Sequence, residues 1–111
     1  MVNVDEKDLG KYWTGRSGAS AGSPALDRMN RAIFSAIRKH GRVYVTMDFT
    51  INVDGSVSDV LVTKIEPAEV DAKPFAAIQS TFKYDPVDAT KAVPVRVHVL
   101  RQPNWIPEQS P

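Results

Sequence analysis

The chain has 111 residues, of which 42% are hydrophobic and 24% charged, as is ordinary for one small globular domain. Its 14 basic and 13 acidic residues leave a net charge of +1 and are mixed along the chain, so no basic nucleic-acid stripe is present. The lack of cysteine excludes disulfides and thiolate metal sites. No apolar run approaches the roughly 18 residues that cross a membrane.

Both ends of the chain look less ordered than its middle. Residues 1–22 are predicted to be a flexible lead-in, because the run TGRSGASAGS has little to bury. The start is polar and acidic, so no signal peptide is expected. Tyr12 and Trp13 are expected to pack on the outside of the domain, the alternative being contact with a partner. Residues 102–111 are predicted to form an extended, Pro-rich tail, which leaves residues 23–101 as the domain.

The first predicted element of the domain is an amphipathic helix. Ser23 and Pro24 are suited to a helix start, since Ser caps free N–H groups and Pro fits the first turn. Apolar residues then recur at spacings of three and four, namely Leu26, Met29, Ile33 and Ile37. Gly41 is a suitable C-terminal cap. The sequence therefore predicts a helix that ends near Lys39-His40-Gly41.

A β-hairpin is predicted immediately after this helix. Apolar residues alternate with polar ones at strict period two, namely Val43, Val45, Met47, Phe49 and Ile51 against Tyr44, Thr46, Asp48 and Thr50. The turn Asn52–Gly55 leads into a second β-rich run, Val57–Ile65, which should pair antiparallel with the first. Val57 and Val60 differ in parity, which predicts a β-bulge near Ser58-Asp59.

The remaining elements complete an α+β arrangement. A second helix is predicted from about Asp71 to Thr81, with Phe75, Ile78 and Phe82 on its buried side. The alternating run Val93–Leu100 is a third strand, and Pro94, which has no N–H to donate, places it at a sheet edge. The order α-β-β-α-β predicts a three-stranded antiparallel sheet with two helices packed on one face.

We find no residue pattern that indicates catalysis, a metal or a cofactor. The two histidines, His40 and His98, lack metal-ligand spacing. Thr50, Asn52, Asp54 and Gly55 imitate part of a calcium loop, but Leu61 stands where a bidentate Glu is needed. Phosphate-loop and nucleophile motifs are also lacking. We therefore expect a protein that is not an enzyme and needs no cofactor.

The hairpin over residues 43–64, the segment Phe82-Lys83-Tyr84-Asp85-Pro86 and the strand AVPVRVHVL together resemble the C-terminal domain of the TonB family of energy transducers. The match covers roughly residues 41–100. The turn and second strand of the family are matched by Asp54-Gly55, Val57, Val60 and Val62, and the specificity of the match lies in the order and spacing of all its pieces together. The chain departs from the family pattern at its first helix, which looks longer and opens with Ser23-Pro24 in place of Tyr-Pro.

The resemblance implies a non-enzymatic, periplasmic domain that captures an extended segment of an envelope or outer-membrane protein. In such a domain the last strand receives the partner as an added β-strand. The residues that this assigns to partner binding are Val93, Val95, Arg96, Val97, His98 and Val99. Arg96 and His98 would supply polar contacts beside the captured segment.

Other uses of the same fold stay open at the level of sequence. In one alternative, the edge of the last strand is covered by the chain's own tail or by a second copy in a homodimer. A structural or assembly subunit of a cell-envelope or secretion complex would reuse the fold without energy transduction. If these 111 residues are the whole gene product, the lack of a Pro-rich spacer and membrane anchor favours this alternative. A small ligand-binding or enzymatic domain would need a pocket with convergent polar groups.

Overall fold

The computed structural model describes residues 1–15 and 24–101. In chain order these residues form strand β1 (Val2–Asp5), the 3-10 helix η1 (Glu6–Lys11), strand β2 (Trp13–Gly15), helix α1 (Pro24–His40), strands β3 (Tyr44–Ile51) and β4 (Val57–Glu66), helix α2 (Lys73–Gln79), strand β5 (Tyr84–Pro86), the 3-10 helix η2 (Ala89–Lys91) and strand β6 (Val95–Arg101). No helix within these ranges is long and apolar enough to cross a membrane.

The main sheet has four strands in the order β1-β6-β3-β4. β3 pairs antiparallel with both β4 and β6, whereas β1 pairs parallel with β6. A separate two-stranded antiparallel sheet is formed by β2 and β5. The predicted α+β class is thus confirmed, but the main sheet has four strands rather than the predicted three.

The period-two pattern of β3 explains why this strand lies inside the sheet. Its apolar side chains are completely buried, namely Val45, Met47, Phe49 and Ile51. They belong to one core cluster that also contains Met29 and Ile33 of α1 and Phe75 of α2. The alternate residues of β3 lie on the other face of the sheet, which we call the open face.

Both helices follow the predicted apolar stripes. α1 ends at His40, and Gly41 caps it with a φ of 84° while its N–H donates to the Ile37 carbonyl at 2.8 Å. α2 is shorter than predicted, because the helix begins at Lys73, after Asp71 accepts the Lys73 N–H at 3.0 Å. The chain leaves the helix after Gln79, yet Phe82 remains buried in the core.

The predicted bulge in β4 is confirmed. Asp48 pairs with Leu61 whereas Thr50 pairs with Ser58, so the register shifts between them. Asp59 sits in this bulge with a φ of 53°. A second irregularity follows between Thr46 and Met47 of β3. Because of the two shifts, both odd- and even-numbered side chains of β4 reach the core cluster, namely Val57, Val60, Val62 and Ile65.

The first fifteen residues are part of the fold, which corrects the predicted flexible lead-in. β1, η1 and β2 occupy most of residues 2–15, and β2 lies against β5. Trp13 is only 2% exposed, so it belongs to the core and does not lie on the outside of the domain. The rest of the lead-in, the Ser23 cap and the Pro-rich tail fall in residues 16–23 and 102–111, outside the described residues.

Candidate functional site

The strand that the sequence assigned to partner binding lies inside the sheet, not at its edge. β6 pairs with β3 along one side, from Ile51 opposite Val95 to Val45 opposite Arg101. On its other side it pairs with β1, from Val2 opposite Val95 to Asp5 opposite His98. The prediction of an exposed last strand is therefore wrong in this structure, because the N-terminal strand covers it.

The edge prediction was based on Pro94, which in the structure stands just before the strand and not within it. β6 begins at Val95, so the N–H that Pro94 lacks is never required by the ladder. Val93 also lies outside β6, and its carbonyl accepts the indole N–H of Trp13 at 3.3 Å. The start of the predicted partner strand thus serves to hold the N-terminal segment.

The side chains of β6 divide between the two faces of the sheet. Val95, Val97 and Val99 are buried in the core, so they would offer a partner only their backbone groups. Arg96 and His98 lie on the open face, as period two requires. The predicted site residues therefore combine a buried set that fixes the strand with a polar set that remains accessible.

Polar contacts across the open face connect β6 to its neighbours in the hairpin. Arg96 donates through Nη1 to Thr50 Oγ1 at 2.9 Å and to the Asp59 carbonyl at 2.7 Å. His98 Nδ1 lies 2.7 Å from Asp48 Oδ1. His98 and Asp48 lie directly opposite each other in the register of β3 and β6. Such cross-strand pairs stabilise the register of a sheet.

The residues that sequence reasoning missed are those of β1 and the start of η1. Asn3 lies opposite Arg96, and Asp5 lies opposite His98. Just past the strand, Glu6 Oε2 lies 3.4 Å from Arg101 Nη1. The signal in the sequence was limited to the alternation of Val2 and Val4, which is too short to distinguish a strand from a loop.

β1 contributes little apolar burial for a strand of the main sheet. Val4 is 7% exposed, whereas Val2 is 38% exposed. Burying one valine is worth about 1.5–3 kcal/mol, and fixing a backbone costs about 1–2 kcal/mol per residue. The pairing of β1 with β6 therefore depends mainly on its ladder hydrogen bonds and is marginal by comparison with β3.

The segment that follows β1 is anchored more firmly. The Tyr12 carbonyl accepts the Val87 N–H at 2.9 Å, and β2 pairs with β5. Trp13 fills part of the core and donates its indole N–H to Val93. The N-terminal segment thus has a weakly held end, β1, and a strongly held base around Trp13.

Arg101, the last residue of β6, lies in a polar cluster beside the core. Its Nη2 donates to Gln79 Oε1 at 2.9 Å, and its guanidinium lies 5.5 Å from the centre of the Phe82 ring. Burial raises the pKa of Tyr84, and the positive charge of Arg101 opposes part of this shift. Among the described residues, Gln79 Nε2 and Arg101 Nε are buried without a hydrogen-bond partner.

The opposite edge of the main sheet is a poor acceptor for an added strand. β4 forms this edge and carries both register shifts. Its Leu61 side chain is 57% exposed, and Lys64 and Glu66 form a surface ion pair at 3.3 Å. Bulges and charged side chains are the usual means by which proteins prevent pairing at an edge. This leaves the β1–β6 side as the candidate for strand addition.

No protein-family model, curated protein or solved structure matches this chain. The resemblance to the TonB C-terminal domain accordingly rests on the motifs of residues 41–100. The site has to be argued from the geometry of β6 and its two neighbours.

An open groove of about 320 Å³ lies elsewhere, between α1 and the start of α2. Its apolar floor includes Ala36, Val70 and Phe75, and its rim carries charged and titratable side chains, namely Lys39, His40, Glu69 and Asp71. None of the groove's lining residues in the described ranges belongs to β6. Those same ranges contain no cluster of three or more His, Asp or Glu side chains that could hold a metal ion.

Proposed function

We propose that this chain is a non-enzymatic, periplasmic protein-binding domain of the bacterial cell envelope. It captures an extended segment of an envelope or outer-membrane protein by strand addition at the β6 side of its main sheet. The observation that carries the proposal is the pairing of β6 with β1, a peripheral extended segment that joins the sheet through backbone groups and one buried valine. A partner segment would use the same kind of contact.

The geometry of β6 supports its role as the receiving strand. Val95, Val97 and Val99 hold its inner face in the core, so the strand is positioned before a partner arrives. Arg96 and His98 are held on the open face by Thr50, Asp59 and Asp48. A preorganised strand reduces the ordering cost of binding. The backbone ladder would supply affinity, and the side chains beside it would supply selectivity.

The proposed cellular setting follows from the resemblance to the TonB C-terminal domain. Domains of that kind act on extended segments of envelope proteins in the periplasm. The present chain has the hairpin, bulge and valine-rich last strand on which the resemblance rests, and these elements form three adjacent strands of its main sheet, β6, β3 and β4. We therefore propose the same class of partner.

Site-specific photo-cross-linking in cells of the native host would test this function. A photo-reactive amino acid is placed at Leu100, on β6, or at Leu61, on β4, as a matched control. Both leucines lie on the open face of the sheet, and both side chains are exposed. We expect an adduct with an envelope protein from Leu100 and none from Leu61.

Fractionation of the same cells would test the proposed compartment, since the adduct should be found in the periplasmic or envelope fraction. An adduct from Leu61 alone, or none from either position, would contradict strand addition at β6. Adducts that contain only second copies of this chain would replace the proposed partner with a homodimer.

A further inference from the structure

We propose that β1 is a latch, an intrachain competitor that must leave β6 before a partner segment can bind there. The latch comprises residues 1–6. This inference rests on the proposed function, and it concerns the regulation of the same strand. A partner could otherwise add to the outer edge of β1 and leave the latch in place, so the two routes make different predictions.

The first argument for a latch is the small share of the core that β1 supplies. Of its side chains only Val4 is buried, opposite Val97. All other buried members of the core cluster lie outside the latch, in residues 13–99, and they include the apolar side chains of β3 and of both helices. Departure of β1 therefore exposes one valine-sized site and the outer backbone edge of β6.

The second argument is the anchor behind the latch. Trp13 is buried, its indole bonds the Val93 carbonyl, and Tyr12 accepts the Val87 N–H. Residues 12 and 13 can thus stay in place when the latch opens. The anchor keeps the latch at a high effective concentration, so a partner competes against an intramolecular contact and its apparent affinity is reduced.

The latch also indicates the chemistry of the segment that replaces it. That segment runs parallel to β6 and places an apolar side chain where Val4 packs against the core. Next to it, an acidic residue takes the position of Asp5, opposite His98, or of Glu6, beside Arg101. The partner is therefore an extended peptide in which an acidic residue follows an alternating apolar pattern.

The test uses a synthetic peptide of residues 1–8, MVNVDEKD, as the probe, since β1 is the segment that the structure places on β6. Its binding is followed by backbone amide shifts of the full-length chain. In a Val4→Pro variant, proline cannot donate an N–H and disturbs the paired conformation, so the latch should open. We expect the variant to bind the peptide on the order of ten-fold more tightly than the native chain, with shifts in Val95–Arg101. A peptide of scrambled sequence should not bind.

A disulfide lock provides the second variant. The chain has no cysteine, so Asp5→Cys with His98→Cys places one thiol pair at positions that face each other in the register. The oxidised protein should bind the peptide at least about ten-fold more weakly than the Val4→Pro variant. Its reduced form lacks the same two side chains and is therefore the reference for the oxidised form, and it should bind the peptide more tightly than the oxidised form does. The lock keeps β1 in the sheet, so its result does not depend on whether the proline variant folds well.

The outcomes separate the latch from the proposed function. Equal binding by the locked and the Val4→Pro proteins, with shifts in β1 and not in β6, would overturn the latch and leave strand addition standing. A lack of peptide binding by the Val4→Pro variant, with its β3 amide signals unchanged, would overturn both, because the uncovered β6 would then not accept a strand. Tighter binding by Val4→Pro that the disulfide abolishes supports the latch.

Discussion

Gly41 illustrates a position where one residue type is required by the backbone and not by packing. Its φ of 84° lies in the left-handed region, and no atom lies within 4 Å of the place that a Cβ would occupy. We expect Gly41→Ala to lower the free energy of unfolding by about 1 kcal/mol, because the left-handed conformation is costly for a residue with a Cβ. Urea denaturation monitored by circular dichroism would measure this.

Gly10 provides the matched control. A Cβ at Gly10 would also meet no atom within 4 Å, but its backbone has no positive φ. Gly10→Ala should change the free energy of unfolding by less than about 0.5 kcal/mol, or stabilise the protein slightly by restricting the unfolded chain. Equal losses in both variants would show that the φ of Gly41 is not the cause.

At the scale of elements, the strands of the main sheet differ in how firmly they are held. β3 has a neighbour on each side and completely buried apolar side chains, whereas β1 has one neighbour among the described strands and one buried valine. Local opening should therefore release β1 without unfolding β3. We expect the amide hydrogens of β1 that bond β6 to exchange at least about ten-fold faster than those of β3. Hydrogen exchange followed by NMR would measure both sets in one sample.

The contrary result would be equal protection of Val4 and Met47. It would show that β1 opens only with the whole domain, and the N-terminal segment would then be a permanent part of the sheet. An independent check is the amide of Tyr84, which donates to the Gly55 carbonyl at 3.0 Å at the turn between β3 and β4. It should exchange more slowly than the β1 amides.

The elements that sequence reasoning predicted well are those with a long periodic signal. α1 repeats its apolar residues over four turns, and the β3–β4 hairpin alternates strictly until its bulge. The elements it missed have no such signal. β1 and β2 are only 4 and 3 residues long, and β1 pairs with residues more than ninety positions away in the chain.

The site was predicted in part for the same reason. Alternation correctly separated the buried valines of β6 from Arg96 and His98. It could not show what lay beside the strand, because neighbours in a sheet are set by tertiary packing and not by the strand's own sequence. Trp13 was likewise placed outside the domain, since nothing local to it indicates the core position that it fills.

At the scale of the whole molecule, stability should fall in alkaline solution because of Tyr84. Burial raises the pKa of this phenol in the folded protein. The unfolded chain loses the same proton at about pH 10. The contribution of Tyr84 to the free energy of unfolding is fully present below about pH 10. It is lost as the pH rises through the pKa of Tyr84 in the folded protein, since the unfolded state then binds fewer protons.

A Tyr84→Phe variant should therefore show a smaller decline in the free energy of unfolding between about pH 8 and about pH 11.5. Each protein is compared with its own free energy of unfolding at about pH 8, so that only the pH-dependent part is scored. Urea denaturation across this range would measure the decline in each protein. Parallel curves for the two proteins would exclude Tyr84 as the cause, because Tyr12 and Tyr44 are common to both.

The two unlike edges of the sheet have a consequence for how copies of the chain can associate. Filament growth by edge pairing would require the β1 edge of one copy to match the β4 edge of the next, in a head-to-tail contact that does not close. The bulge at Asp59 and the second register shift make β4 irregular over its length. A continuous ladder of backbone hydrogen bonds between successive copies therefore cannot form. The same bulge that lets both odd- and even-numbered residues of β4 reach the core thus keeps copies of this chain from polymerising edge to edge.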